Sequence, residues 1–379
     1  MVYAFIYLLI LGSAFGQSCD FKSHENLGQE VMNELISEGM ICNGQPVHMT
    51  FDDGPSSAVT PKLLQELKLR NIKASFFVTT SRLVNSPTSQ QMVRDTMDQG
   101  HLIADHGHDH DAYDLKVRGD TLIDPGMSQE KREDQIQKSY DLLNQATAGK
   151  FKNQKAMLFR FPYGRGAMPS PGEIKYLETH QMMSFSSRDY SKQLSEYRNQ
   201  SPALQTLQSK GFSHLGWNHD SDDSKFPNAP MEPQVLKDHI KNNLRSLCAA
   251  RGPQVALFHD IKVFNLDVVP VILDIGKCMG LKFISPDQMM GMKSSFIANN
   301  VLIEKSDIQK APVRSLASVI DELRDVAKAE ACLDEGEKSC YSKDYDRYYS
   351  DCSGGDSVCY RGKWFKASDP LIKNKCPNR

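Results

Sequence analysis

The sequence predicts an α/β protein built on a parallel sheet or barrel, and two observations lead to this prediction. Short apolar stretches that suit buried strands alternate with amphipathic helical stretches over most of the chain, which is the pattern of strands joined by crossover helices. Each predicted strand also ends in polar or charged residues. Because the carboxyl ends of parallel strands form the active-site face, these residues should converge on one edge.

The first strand ends in two adjacent carboxylates, within the stretch HMTFDDGPSS that runs from His48 to Ser57. The Gly-Pro pair that follows breaks the strand. Successive strand residues point to opposite faces, and two ionised carboxylates repel each other when both are buried. Asp52 and Asp53 therefore need not share a role.

Four helix–strand units and a closing segment follow this strand. A helix beginning near Pro61 leads to ASFFVT, and SQQMVRDTMDQG leads to a strand that ends in DHGHDH. Further along, QEKREDQIQKSYDLLNQAT leads to AMLFRFPYG, QVLKDHIKNNLRSLCAARG leads to VALFHD, and VVPVILDIGKCMGLKFISP closes the series. The polar groups at the later strand ends are Asp105, His106, His108 and His110; Arg160 and Tyr163; His219, Asp220 and Asp223; and His259 and Asp260.

Two histidines four residues apart are the best candidates for metal binding. His106 and His110 can reach one ion, and zinc readily takes imidazoles together with a carboxylate. The stretch has no HExxH pattern, so the base and a further ligand must come from elsewhere. One of Asp52 and Asp53 can complete the metal site while the other accepts a proton from metal-bound water. His108 is better explained as a solvated or second-shell histidine than as a ligand.

Two other motifs add groups suited to hydrolysis. In LFRFPYGRG, Arg160 can hold a carboxylate, and the turn at Tyr163 can present a backbone N–H to an oxyanion. In VALFHD, His259 can protonate a leaving amine.

Taken together, these motifs resemble those of the polysaccharide deacetylases, the NodB-homology proteins of carbohydrate esterase family four. TFDDGP, the His106–His110 pair, RFPYG, WNHDSDD and LFH occur in the order and spacing of that family, from about Pro46 to Met292. The resemblance implies a distorted (β/α) barrel and metal-dependent N-deacetylation of a sugar polymer.

The resemblance also implies roles for the residues around the metal. Asp52 would be the general base, and Arg160 would orient it. Asp53, His106 and His110 would bind one divalent metal ion, usually zinc in this family.

The remaining roles concern the leaving group and the substrate. His259 would be the general acid, tuned by Asp220 or Asp223. The backbone N–H of Tyr163 would help to stabilise the oxyanion, and Leu257 would line the acetyl pocket.

Two positions depart from the family pattern. Gly107 stands where the family usually has Ser or Thr, and Ser224 stands where it often has a Trp that walls the substrate groove. Trp217 or Phe226 is a candidate to replace that wall. Neither departure removes a catalytic group.

Charge and the N-terminal residues limit the partners and the location. The 379-residue chain has a net charge of −2, which gives no general electrostatic reason to expect nucleic acid or an anionic membrane as a partner. The apolar residues from Val2 to Gly16 fit a signal peptide at 1–16, with an N-terminal membrane anchor as the alternative. We therefore expect an exported protein, periplasmic or secreted, without a lasting membrane anchor.

The nine cysteines suggest how the rest of the chain is organised. All of them follow residue 16, and export favours disulfides. Five lie between Cys332 and Cys376. We predict an N-terminal segment at 17–45, a catalytic domain at 46–299 and a small disulfide-rich accessory module at 300–379. The aromatic residues of that module suit either a sugar-binding platform or its own core.

The expected activity is removal of N-acetyl groups from N-acetylglucosamine in peptidoglycan, with chitin or another glycan as the alternative substrate. A catalytically silent glycan-binding or scaffold protein is the rival from a different functional class. Such a protein should lack the base, a metal ligand or the acid, and none of these is missing.

Overall fold

A computed structural model of the protein describes residues 19–292 together with two short strands at 357–360 and 363–366. The predicted signal peptide at 1–16 lies outside the described residues, as does the predicted accessory module apart from those two strands.

An eight-stranded sheet forms the centre of the protein. In chain order the strands of the described residues are β1 (Pro46–Asp52), β2 (Ser75–Val78), β3 (Leu102–Asp105), β4 (Lys116–Arg118), β5 (Thr121–Asp124), β6 (Leu158–Phe159), β7 (Ser213–His214), β8 (His219–Asp220), β9 (Gln254–His259), β10 (Lys282–Phe283), β11 (Ser357–Tyr360) and β12 (Lys363–Lys366). Strands β4 and β5 form one separate two-stranded sheet, and β11 and β12 form another. The sheet has the order β7-β6-β3-β2-β1-β9-β8, and β10 pairs with the start of β1. All of these pairings are parallel. Within the described residues no ladder joins β7 to β8, so the sheet is a curled, open barrel and the predicted α/β fold is confirmed.

Helices connect most of the strands, and they include the four helices of the predicted helix–strand units. They are α1 (Glu25–Ser37), α2 (Thr60–Leu69), α3 (Pro87–Asp98), α4 (Gln129–Ala146), α5 (Pro171–Thr179), α6 (Tyr190–Gln200), α7 (Pro202–Ser209), α8 (Pro233–Ala249), α9 (Asn265–Cys278) and α10 (Pro286–Met290). Proline in the first turn and serine N-caps, such as Ser86 before α3 and Ser128 before α4, begin several of them. Among the described helices, none is long and apolar enough to cross a lipid bilayer.

Strand β1 shows how side-chain alternation positions the site. Phe51 is fully buried and stacks on Phe76 of β2, with Phe258 of β9 nearby. Thr50 and Asp52 point to the opposite face of the strand. This alternation separates the packed hydrophobic core from the polar face that carries the site.

The N-terminal segment forms part of the core, although the sequence alone did not suggest this. Leu35 of α1 is fully buried in the main hydrophobic cluster. Two disulfides, Cys19–Cys278 and Cys42–Cys248, join the ends of this segment to α9 and α8. The segment is therefore covalently and hydrophobically attached to the helices behind the sheet. A second feature not expected from the sequence is the antiparallel hairpin of β4 and β5.

Candidate active site

The register of the sheet brings the predicted motifs to one edge. Asp52 at the end of β1 pairs with His259 at the end of β9. Asp105 at the end of β3 pairs with Phe159 of β6. Because these strands are parallel, the loops that follow them leave the sheet on the same side. The loops that carry Asp53, the histidines and the Pro-Tyr-Gly turn therefore meet there.

Three candidate ligand atoms converge beside the end of β1. Oδ1 of Asp53 lies 2.9 Å from Nε2 of His110 and 3.3 Å from Nε2 of His106. One ligand atom of each residue lies within 4.8 Å of the other two. In the part of the chain that the structure describes, this is the one group of three or more such side chains with this geometry. His108 is outside the group, and its Nδ1 lies 3.0 Å from the hydroxyl of Thr80.

A hydrogen bond fixes the tautomer of His106. Its Nδ1 lies 2.8 Å from the carbonyl oxygen of Arg160. A carbonyl oxygen can only accept a hydrogen bond, so Nδ1 carries the proton. In the neutral ring, Nε2 then has a free lone pair on the side of Asp53, as a metal ligand requires.

The donor set fits a single divalent cation. Zinc–ligand distances near 2.1 Å in a tetrahedron place the ligand atoms about 3.4 Å apart, close to the separations seen here. Oδ1 of Asp53 is buried and has no hydrogen-bond partner of acceptable geometry among the described residues, although two imidazole nitrogens lie next to it. Both Asp53 (φ 74°) and His110 (φ 57°) have left-handed backbone conformations, which the surrounding loops must enforce.

The charge state of Asp53 also suits a ligand. Burial by itself would raise the pKa of this carboxyl group, but the charge of His110 and the contacts with both imidazoles hold that pKa well below its usual range. The group is therefore an anion at neutral pH, and a carboxylate must be ionised in order to bind a metal.

Arg160 orients the second carboxylate of the pair. The arginine is fully buried, and its Nη1 donates to Oδ1 of Asp52 at 2.7 Å. Its guanidinium lies 4.0 Å from the centre of the Phe77 ring. The other hydrogen bonds of the guanidinium go to the hydroxyl of Thr50 and to the carbonyls of Leu215 and Gly216. With Oδ1 engaged in this way, Oδ2 of Asp52 lies 3.6 Å from Nε2 of His106, on the side of the metal cluster.

His259 is held by Asp223 on the opposite side of β1. Its Nδ1 lies 2.5 Å from one oxygen of Asp223, and its backbone N–H donates to the other oxygen at 2.8 Å. Asn265 also donates to Asp223, and to the carbonyl of His259. Sequence reasoning missed Asn265, since a lone asparagine at the start of a helix carries no signal of its own.

The structure distinguishes between the two aspartates proposed to tune His259. Asp223 is fully buried against the imidazole. Asp220 is exposed, and its carboxylate accepts the backbone N–H of Asp222 at 2.8 Å. Asp223, rather than Asp220, is therefore the partner of His259.

The residues predicted to contact substrate lie around this centre. Tyr163 has a left-handed backbone (φ 60°), is 57% exposed and packs its ring edge-on against His110. The ring of Trp217 lies beside the Cα of Gly164. Leu257 is buried two residues before His259 on β9, so the two side chains share a face. Phe226 packs against His239 and Phe264 and so belongs to the edge of the core.

Comparisons with known proteins show similarity to polysaccharide deacetylases over part of the chain. Residues 42–182 match the family model described as polysaccharide deacetylase. Over 248 residues the chain is 25% identical to the peptidoglycan-N-acetylglucosamine deacetylase PgdA of Listeria monocytogenes, covering 65% of this chain and 39% of that protein. Over 237 residues it is 27% identical to the putative polysaccharide deacetylase YheN of Bacillus subtilis, covering 62% of this chain and 65% of that protein. The chain thus spans about two fifths and two thirds of the lengths of these two relatives.

A solved structure of a family 4 carbohydrate esterase from Streptomyces lividans, in complex with acetate, is also similar. It has 22% sequence identity and a TM-score of 0.40, and the match covers 70% of this chain and 100% of that one. The family model begins four residues before β1 and includes the loops that carry Asp53, the two histidines and Arg160. Residues 42–182 of the chain therefore match a polysaccharide deacetylase domain.

Proposed function

We propose that this protein is a metal-dependent deacetylase that hydrolyses the N-acetyl group of N-acetylglucosamine units in an extracytoplasmic polysaccharide and releases acetate. The observation that carries this proposal is the arrangement of three groups at one sheet edge. The ligand cluster of Asp53, His106 and His110 lies at the same sheet edge as an Arg160-bound Asp52 and an Asp223-bound His259. Amide hydrolysis requires a base, an electrophile and an acid in such an arrangement.

The proposed metal is one divalent cation, with zinc as the first choice because of the two imidazoles and the carboxylate. When bound, such an ion would polarise the acetamide carbonyl and lower the pKa of water.

The protein's own residues carry out the proton transfers and stabilise the oxyanion. Asp52 accepts a proton from the attacking water, and Arg160 holds its carboxylate in position for this step. The backbone N–H of Tyr163 donates to the oxyanion. His259 donates a proton to the departing amine, so the products are acetate and a glucosamine unit.

Peptidoglycan is the proposed substrate, and the name of the Listeria monocytogenes relative supports this choice. Chitin or another acetylated glycan is the alternative. A silent glycan-binding or scaffold protein is less consistent with the site, because every group that the reaction needs is present there. Two disulfides among the described residues support export into an oxidising compartment. Residues 300–379 are proposed as an accessory module.

Acetate release from peptidoglycan and from chitin oligomers, measured side by side, tests the proposal. The purified protein should release acetate, a chelator should abolish the activity, and zinc should restore it. Asp52→Asn should retain the metal and lose turnover on the order of a hundredfold or more, since a positioned base contributes about that much. Release from neither polymer by metal-loaded protein would refute the enzymatic assignment and favour the scaffold alternative.

A further inference from the structure

A buried carboxyl group behind the Asp52–Asp53 loop has no part in the proposed chemistry. Asp260 follows His259 directly and is 1% exposed. Its backbone N–H donates to the carbonyl oxygen of Asp52 at 3.2 Å. One residue therefore connects the strand end that carries the acid with the strand end that carries the base.

The loop after Asp53 folds around the side chain of Asp260. The hydroxyl of Thr60 donates to Oδ2 of Asp260 at 2.5 Å, and the backbone N–H of Ser56 donates to the same hydroxyl at 2.8 Å. Both the start of the loop and the first turn of α2 are thus linked to this carboxyl group.

Gly54 shows how closely the loop approaches that group. A Cβ atom at this position would lie 2.1 to 2.4 Å from the three carboxyl atoms of Asp260. The carboxyl group therefore occupies the space that a side chain at position 54 would need. On its other side, the carbonyl of Gly54 accepts the backbone N–H of Thr79 at 3.1 Å, so the loop is held between β2 and Asp260.

We propose that Asp260 is a positioning residue that sets the place of the Asp52–Asp53 loop relative to His259. The loop carries the proposed base and one proposed metal ligand, so its displacement should affect both turnover and metal affinity. The inference rests on the proposed function only for the turnover readout, because metal affinity can be measured without substrate.

The first test compares Asp260→Ala and Asp260→Asn with a matched control. Asp274→Ala is the control, because Asp274 is also a buried aspartate and pairs with Arg70 at 2.6 Å, in an ion pair outside the metal cluster. Zinc affinity is measured by chelator competition, kcat and KM by acetate release, and stability by thermal unfolding. Asp260→Ala should weaken zinc binding about tenfold, since removal of groups that support a metal site typically costs 10- to 100-fold. It should also lower kcat more than it changes KM.

The asparagine variant and the control separate positioning from general stability. Asp260→Asn keeps an oxygen for the Thr60 hydroxyl and a similar volume, so it should stay within about threefold of the unmodified protein in zinc affinity. Asp274→Ala should lower the melting temperature and leave zinc affinity unchanged. If Asp260→Ala lowers only the melting temperature, as the control does, the positioning role is overturned.

A double-mutant cycle tests the packing between Gly54 and Asp260. Gly54→Ala should by itself weaken zinc binding, because its methyl group meets the carboxyl group. In Gly54→Ala/Asp260→Ala that methyl group enters the vacated space, so the combined loss should be smaller than the product of the two single losses. Strictly multiplicative losses would contradict the inference. If the zinc affinities of the variants follow these expectations while the protein releases no acetate, that result would overturn the proposed function and leave the positioning role of Asp260 standing.

Discussion

Nδ1 of His259 and Oδ1 of Asp223 are 2.5 Å apart, with the aspartate fully buried and the imidazole 14% exposed. Burial alone would lower the pKa of His259, but the charge of Asp223 and its hydrogen bond raise that pKa to about 10, with smaller contributions from Asp53 and Asp52. The imidazole is therefore protonated at neutral pH, as a proton donor to a leaving amine must be.

This pair predicts how activity changes at alkaline pH. Activity should fall as the pH rises through the pKa of His259, because the acid then loses its proton. Asp223→Asn removes the charge that raises this pKa, so the alkaline limb of the profile should move to lower pH. The measurement is kcat for acetate release between pH 6 and 11 in both proteins, and Asp220→Asn should leave the position of the limb unchanged. An alkaline limb at the same pH in Asp223→Asn would show that another group is the acid.

Arg160→Lys should lower kcat and leave the metal in place. Lysine keeps the positive charge but cannot reproduce the fork that bonds Asp52 together with the carbonyls of Leu215 and Gly216. The base should then lose its orientation, with a fall in kcat of at least about tenfold.

Metal content and kcat, measured on the same preparation, check this prediction. Arg165→Lys is the control, since Arg165 binds the β4–β5 hairpin through Asp124. A fully active Arg160→Lys enzyme would mean that Asp52 does not depend on the guanidinium.

The sequence predicted the parts of the site that depend on local pattern. Strand ends and breakers are encoded in adjacent residues, so the positions of Asp52, Asp53 and the histidine pair followed from periodicity and turn signals. Their shared edge followed from the rule that parallel strands end on one side of a sheet.

Other parts depend on contacts between residues far apart in the chain. The choice of Asp223 over Asp220 depends on the contact between Asp223 and His259, which are 36 residues apart in the chain. The carbonyl partners of Arg160 lie 55 and 56 residues away. The disulfide partners of Cys19 and Cys42 are 259 and 206 residues away. Composition and periodicity contain no information about such pairings.

Gly107→Ser, which introduces the residue type more usual in the family, should weaken metal binding here. Gly107 has φ +82°, and a Cβ atom would lie 3.1 Å from the hydroxyl of Tyr113. A left-handed non-glycine residue costs about 1–3 kcal/mol, and the contact with Tyr113 should shift the loop between His106 and His110.

Zinc affinity measured by chelator competition tests this expectation. Gly119→Ser is a matched control, because Gly119 also has a positive φ (+59°) but no atom of the described part of the chain lies within 4 Å of its added Cβ. Gly119→Ser should lower the stability of the protein through the same backbone strain as Gly107→Ser, and it should leave zinc affinity unchanged. Tighter zinc binding in Gly107→Ser would show that the loop accommodates a hydroxyl at this position.

Removal of the disulfide between Cys42 and Cys248 should destabilise the protein without changing its site. The bond closes a segment of 206 residues, and removal of a native disulfide typically costs about 2–5 kcal/mol. Cys42→Ser/Cys248→Ser should therefore have a lower free energy of unfolding in urea, with the zinc affinity of the folded protein preserved. The double variant is preferable to a reductant, because a reductant would also act on the other cysteines. Equal unfolding free energies for the two proteins would mean that α1 and its core contacts hold the segment without the bond.

His214 should make the protein sensitive to acid. This residue is 3% exposed, and burial, followed by the charges of Arg160 and Arg198, lowers its pKa from 6.5 to about 3. The unfolded chain has the ordinary pKa, so between about pH 6.5 and 3 it binds more protons than the folded protein does. Stability from this residue is therefore present above pH 6.5 and is lost as the pH falls through that window.

His214→Leu removes this titration and keeps a similar volume. At pH 8 its stability should be close to that of the unmodified protein, since volume-conserving core substitutions usually cost less than about 1.5 kcal/mol. The midpoint of acid unfolding, followed by circular dichroism, should move to lower pH because one buried group no longer takes up a proton on unfolding. His180→Leu, at an exposed position on the surface, should leave the midpoint unchanged. If the midpoint of His214→Leu also stays where it is, the acid limit must come from other buried groups, such as His48 and His101, whose pKa burial lowers to about 4.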